Sequence, residues 1–143
     1  MKPKTRHKAR EFALQAIYQW QIAGQPLHEI SQQFRDSQVQ TAVKVDNEYF
    51  QELLTGVTQH AVALDDIMQP WLDRALKDLT PVEWAVLRIA IYELKYHLDV
   101  PYRVVINEAL ELSKKYGTED GHKYVNGILD KAARELRAVE IQK

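Results

Sequence analysis

Cysteine is absent from the 143 residues, which excludes a disulfide framework, thiolate metal sites and cysteine nucleophiles together and fits a reducing compartment. Glycine and proline are sparse, five of each. Low-complexity and collagen-like architectures are therefore out, and no Gly-rich loop is present to cradle a phosphate. No run of about 18 uncharged apolar residues occurs, and the basic start lacks the apolar stretch of a signal peptide, so a soluble, cytoplasmic protein with no membrane association is expected. The histidines, His7, His28, His60, His97 and His122, fall at no metal-ligand spacing, so neither a metal nor a cofactor is expected. The adjacent carboxylates Asp65/Asp66 and Glu119/Asp120 point in different directions on a helix and read as solvated acids rather than an acid–base pair. No nucleophile has an evident base.

What is present is a globular composition, 45% hydrophobic and 27% charged, with apolar residues recurring at helical spacing and no convincing alternation. An all-α fold of about seven helices packed antiparallel in bundles follows, within one domain over residues 1–143. A basic tail is expected over residues 1–8 and a first helix over 9–23, stopped by Gly24 and Pro26. A short second helix carries Leu27, Ile30 and Phe34, and the polar run 35–44 reads as a loop. The third helix is expected from an Asp46 N-cap to Pro70, and a brief fourth carries Trp71 to Leu79. Thr80-Pro81-Val82-Glu83 forms a capping-box signature for a fifth helix that is apolar nearly all round. The sixth is expected to end at a left-handed Gly117, and the seventh starts near Asp120, with Gly127 allowing close helix packing.

Charge is segregated. Residues 1–10 hold five Lys/Arg and no acid, whereas residues 11–100 hold thirteen acids and six bases. One cationic end on an acidic body suits a polyanion there and other partners elsewhere. A second cluster, Lys114, Lys115 and Tyr116 with Lys123 and Tyr124, straddles the turn between the sixth and seventh helices. Cations track phosphates while aromatic rings stack on unpaired bases, so interleaving the two suits single-stranded RNA. Core tyrosines beside surface lysines give the same pattern.

The order of several motifs resembles the NusB family over nearly the whole chain. It starts with Met1-Lys2-Pro3, Arg6 and Arg10, then Ala16-Ile17-Tyr18-Gln19-Trp20. Val82-Glu83, Ala85 to Ala90, Glu93-Leu94 and Val100-Pro101-Tyr102 follow, then Ile106-Asn107-Glu108-Ala109 and His122 to Lys131. Residues 26–45 carry little of the resemblance. It implies a non-enzymatic antitermination factor of two small helical bundles. Such a factor binds boxA, a single-stranded element of ribosomal RNA leader transcripts, as a heterodimer with the ribosomal protein NusE. With other Nus factors it acts on the RNA polymerase elongation complex. By the same resemblance, RNA contacts fall on Lys2, Lys4, Arg6, His7, Lys8 and Arg10, and on Lys115, Tyr116, Asp120, Lys123 and Tyr124. NusE contacts fall on Tyr18, Glu83 and Trp84. The family more often has Phe where Tyr116 and Tyr124 stand, and either ring can stack. NusB-like domains also form the RNA-binding part of a ribosomal RNA cytosine methyltransferase, but its chemistry needs a Rossmann-type domain and catalytic cysteines.

Overall fold

The computed structural model describes residues 3–142; Lys2, one of the expected RNA contacts, lies outside them. Eight α-helices and two single 3-10 turns are the regular elements of the described residues, with no strand among them. The chain divides into two compact units, the first ending at Gln59 and the second beginning at His60.

The first unit contains α1 (Pro3–Ala23), α2 (Leu27–Thr41) and α3 (Asn47–Gln59). Its core is built by Ile17 and Leu14 of α1, Ile30 of α2 and Leu53 and Leu54 of α3, all fully or almost fully buried. Phe12, Phe34 and Phe50, one from each helix, meet with centroids 5.3, 5.6 and 6.3 Å apart in the tilted and edge-on geometries aromatic rings prefer. Gly24 ends α1 at φ +64°, a conformation glycine adopts without steric cost.

Two expectations fail here for definable reasons. Residues 3–8 form the first turns of α1, not a tail, although cations are unfavourable at a helix N-terminus. Tertiary contacts override that cost: the Asp46 amide donates to the Thr5 carbonyl at 3.0 Å, and the Arg6 guanidinium lies 4.0 Å from the Tyr49 ring. The run expected as a loop over 35–44 is instead helical to Thr41. Beyond Phe34 this stretch buries nothing, so it carries no apolar period; Gln38 and Asn47 hold its end through reciprocal amide bonds of 2.7 and 3.1 Å.

The second unit comprises α4 (Ala61–Met68), 3-10 turns at Gln69–Trp71 and Leu76–Asp78, α5 (Pro81–Tyr96), α6 (Tyr102–Tyr116), α7 (Gly121–Leu136) and α8 (Ala138–Ile141). The single helix expected from 46 to 70 is interrupted at His60, whose φ and ψ of −107° and 14° are not helical. No Gly or Pro marks the break. The His60 ring stacks on Tyr96 at 4.9 Å, a contact far away in sequence. The expected brief helix over 71–79 is reduced to 3-10 turns. The Asp46 cap and the capping box are as expected: Tyr49 N–H donates to Asp46, Glu83 N–H to Thr80 Oγ1, and Thr80 N–H to Glu83 Oε1.

Helix α5 is buried from Ala85 to Leu94 and forms the centre of the second unit, with α6 and α7 packed on it. Its C-terminus is closed by Arg137, whose buried guanidinium donates to the Leu94, Glu93 and His97 carbonyls at 2.7, 3.3 and 2.9 Å. Helix α8, too short to show a period, adds Glu140, which accepts the first amide of α6 at 3.0 Å.

Two glycines give opposite predictions. Gly117 is extended, not left-handed (φ −96°, ψ −169°), yet a Cβ there would stand 2.7 Å from the Ser113 carbonyl oxygen. A Cβ at Gly127 would meet nothing within 4 Å, so this glycine packs no helix against it. Gly117→Ala should therefore lower unfolding stability by about 1–3 kcal/mol, since backbone must move. Gly127→Ala should raise it by about 0.5–1 kcal/mol through helix propensity. Denaturant titration of the two variants checks both signs.

Candidate nucleic-acid interface

Of the expected cations in the first unit, only some face solvent. Lys4 is exposed and Arg6, His7 and Lys8 are half-buried, but Arg10 is 3% exposed and packs beside Tyr49. This corrects its place in the RNA surface: Arg10 belongs to the interior of the first unit. The buried Glu11 carboxylate lies 3.0 Å from Lys8 Nζ and 3.6 Å from His7 Nε2, and Arg6 Nε lies 3.8 Å from Asp46. The segment is thus a helix face with partly compensated charge, and Lys4 is its most open described cation. Tyr18 of α1 is 40% exposed, and Ile22 one turn on is exposed too, an outward apolar pair that suits a protein contact.

The second unit gathers the rest at the α6–α7 turn. Lys114 and Lys115 lie in the last turn of α6, where cations complement the helix dipole. Lys115 Nζ is 5.4 Å from the centroid of the half-buried Tyr116 ring. Asp120 precedes α7 and pairs loosely with Lys123 at 3.6 Å, their side chains 86% and 75% exposed. Such a pair contributes little to stability and leaves both groups available.

Tyr124, one turn into α7, is half-buried, and the Arg74 guanidinium lies over its ring at 3.9 Å. Arg74 Nε is held by the Asp73 carboxylate at 2.9 Å, which keeps the Asp73 pKa below and the Arg74 pKa above their ordinary values. The Tyr124 hydroxyl is enclosed without a hydrogen bond of good geometry. Burial, and then the nearby Asp73 carboxylate, raise its pKa. Helical periodicity does not point to Arg74, because it lies in the irregular stretch between the two 3-10 turns.

That enclosed hydroxyl makes a prediction. An enclosed donor that reaches the Asp73 carboxylate only in poor geometry gains little, so Tyr124→Phe should leave the protein about as stable at neutral pH. The raised pKa means the folded chain holds this proton more tightly than the unfolded one. The associated stability is complete below about pH 10 and declines as pH rises through the folded value. Urea midpoints between pH 8 and 11 should fall less steeply for Tyr124→Phe than for the parent chain.

The expected protein contacts of the second unit are bound internally. Glu83 is 7% exposed and closes the capping box, and its other oxygen would be 3.4 Å from a Cβ at Gly121, the first residue of α7. The side chain thus lies close to the start of α7 and is a buried capping residue rather than an open charge. Trp84 is half-buried and donates its indole N–H to Asp65 at 2.8 Å. Asp65 also accepts two bonds from the buried Arg88, at 3.0 and 2.8 Å, so of the pair read as solvated acids only Asp66 is exposed. Among the described residues, no group of three His, Asp or Glu is placed to hold a metal ion, and no helix is long and apolar enough to cross a membrane.

Fold and site together define a small all-α binding protein with cation–aromatic clusters at helix ends. The chain belongs to the NusB family, whose profile matches residues 7–134. It is 53% identical over 138 residues to the transcription antitermination protein NusB of Alcanivorax borkumensis, covering 96% of this chain and 91% of that protein. It is 52% identical to that of Photorhabdus laumondii, covering 96% and 98%. Among solved structures, T. maritima NusB superposes with a TM-score of 0.77 at 31% identity over 91% of each chain. A chain from the crystal structure of antitermination factors NusB and NusE in complex with double-stranded RNA gives 0.80 at 26% identity, over 94% of this chain and 99% of that one.

Proposed function

We propose that this protein is a cytoplasmic transcription antitermination factor that binds single-stranded boxA RNA of ribosomal RNA leaders together with NusE and so helps RNA polymerase pass terminators. It binds and does not catalyse. The observation that carries this reading is the α6–α7 turn of a NusB-family chain: exposed Lys115, Lys123 and Asp120 set beside the rings of Tyr116 and Tyr124 on packed helices. Cations there meet phosphates, rings and the carboxylate meet bases, and only an unpaired strand offers both. Lys4, with parts of Arg6 and Lys8, provides further phosphate contacts on α1. Tyr18 is the open candidate for NusE, with Trp84 contributing its outer edge.

Salt dependence tests it. Five cations on residues 1–10 would imply a log–log slope of about −3.5, but with Arg10 buried and Lys8 beside Glu11, about four phosphates from both clusters give about −2.8. Affinity for a single-stranded boxA RNA should then fall roughly 50-fold between 50 and 200 mM salt. Lys4→Ala and Lys123→Ala should each flatten the slope by about 0.7. Removal of residues 2–8 is not a neutral test, since Thr5 and Arg6 hold the start of α3. If NusE and RNA share one assembly, each must tighten the other's binding by the same factor. A slope near zero, or binding unaffected by NusE, would refute the reading.

A further inference from the structure

We propose that Arg74 is a base-stacking residue of the RNA surface: its guanidinium, backed by the Tyr124 ring and pinned by Asp73, is the outer plane on which an unpaired base seats. This rests on the RNA reading of the α6–α7 turn and names a contact that the turn itself does not contain. The guanidinium carbon is 3.9 Å from the ring centroid, which is van der Waals contact, so no base fits between them. The covered face of Tyr124 is therefore not a free platform. What that side offers instead is the other face of the guanidinium, on a side chain that is 39% exposed. Planar, delocalised and weakly hydrated, a guanidinium stacks on bases as it does on rings.

Three features make the plane preorganised. The Tyr124 ring supports it from below, the Asp73 carboxylate fixes its Nε at 2.9 Å, and α7 holds Tyr124 next to the exposed Lys123 and one turn from Asp120. For a base to displace the guanidinium, it would have to break both the ring contact and the Asp73 bond. Stacking on the outer face costs neither. Asp73 also sets the sign of the charge effect. Its carboxylate offsets the Arg74 charge toward phosphates, so Arg74 contributes a plane more than a counterion.

The test uses the full chain and a labelled single-stranded boxA RNA, with a series of the same RNA carrying one abasic position at a time. Arg74→Lys keeps the charge and loses the plane. It should weaken binding roughly tenfold, the loss of one stacked base, with the salt slope and thermal midpoint unchanged. On wild-type protein one abasic position should cost a similar factor, and on Arg74→Lys that same position should cost almost nothing further. Parent-like binding by Arg74→Lys, while Lys123→Ala is weakened, would overturn this inference and leave the RNA reading standing. Parent-like binding by both variants would remove the turn from the RNA surface and the inference with it. A flattened salt slope without abasic dependence would make Arg74 a phosphate contact, and tighter binding by Arg74→Lys would make it a cover over the ring; either overturns the proposal.

Discussion

Asp65→Ala should lower unfolding stability by about 3–5 kcal/mol, a large part of the roughly 5–15 kcal/mol available to a domain. Asp65 sits on α4 and accepts three bonds from α5: one from the Trp84 indole at 2.8 Å and two from Arg88 at 3.0 and 2.8 Å. Arg88 is 6% exposed and lies 3.9 Å over the Trp84 ring. Without the carboxylate, the buried guanidinium loses its two-bond contact to Asp65, and the indole N–H loses the acceptor it has there. Asp65→Asn should cost less, because the amide oxygen still accepts from one donor. The pair Asp65→Leu with Arg88→Met should recover much of the loss, since a packed apolar pair avoids the desolvation that the ion pair must offset. Chemical denaturation at neutral pH reads all three. A loss below about 1 kcal/mol for Asp65→Ala would mean that solvent reaches Arg88 and that the triad is not sealed.

That triad also shows where sequence reading ends. The long amphipathic helices, the Thr80–Glu83 capping box, the Asp46 cap and the buried α5 were legible, because each is written in local spacing and in residue types with one dominant local role. Asp65 was not, because adjacent carboxylates on a helix look alike until the partner helix is placed: Asp66 faces solvent and Asp65 faces Arg88, 23 positions away. The same holds for α1, whose basic start is helical through Asp46 and Tyr49, and for the His60 break, fixed by Tyr96. At the candidate site, Lys115, Tyr116, Lys123 and Tyr124 are legible as a cluster because they are neighbours in sequence, whereas Asp120 enters only through the family resemblance. Arg74 is not legible, since its only signal is three-dimensional. Arg10 and Glu83 are placed at binding surfaces by the family resemblance, which does not carry burial; paired and capping charges are common among the few that are buried.

Glu83→Lys should damage both binding surfaces through stability rather than remove one contact selectively. At 7% exposure the side chain has little reach to a partner, and both its oxygens lie inside the second unit. One accepts the Thr80 amide at 3.0 Å in the capping box, and the other faces Gly121 at the start of α7. A carboxylate there complements the positive ends of two helices, and a lysine reverses both effects while adding a like charge near Arg74, whose environment Glu83 already influences. Loss of the cap, about 1 kcal/mol, and a misplaced buried cation together should cost about 2–4 kcal/mol. For a chain of this length that lowers the thermal midpoint by on the order of 10 °C. Glu83→Gln keeps an oxygen for the Thr80 amide and should cost under about 1 kcal/mol. Because the displaced turn carries Asp120, Lys123 and Tyr124, RNA affinity should fall in Glu83→Lys alongside NusE affinity, and both should be nearly retained in Glu83→Gln. Calorimetry of the two variants, with separate RNA and NusE titrations below their melting ranges, distinguishes the cases. A Glu83→Lys protein that melts within a degree or two of the parent, binds RNA fully and has lost only NusE would show that Glu83 reaches the partner directly and that its burial does not persist in the complex.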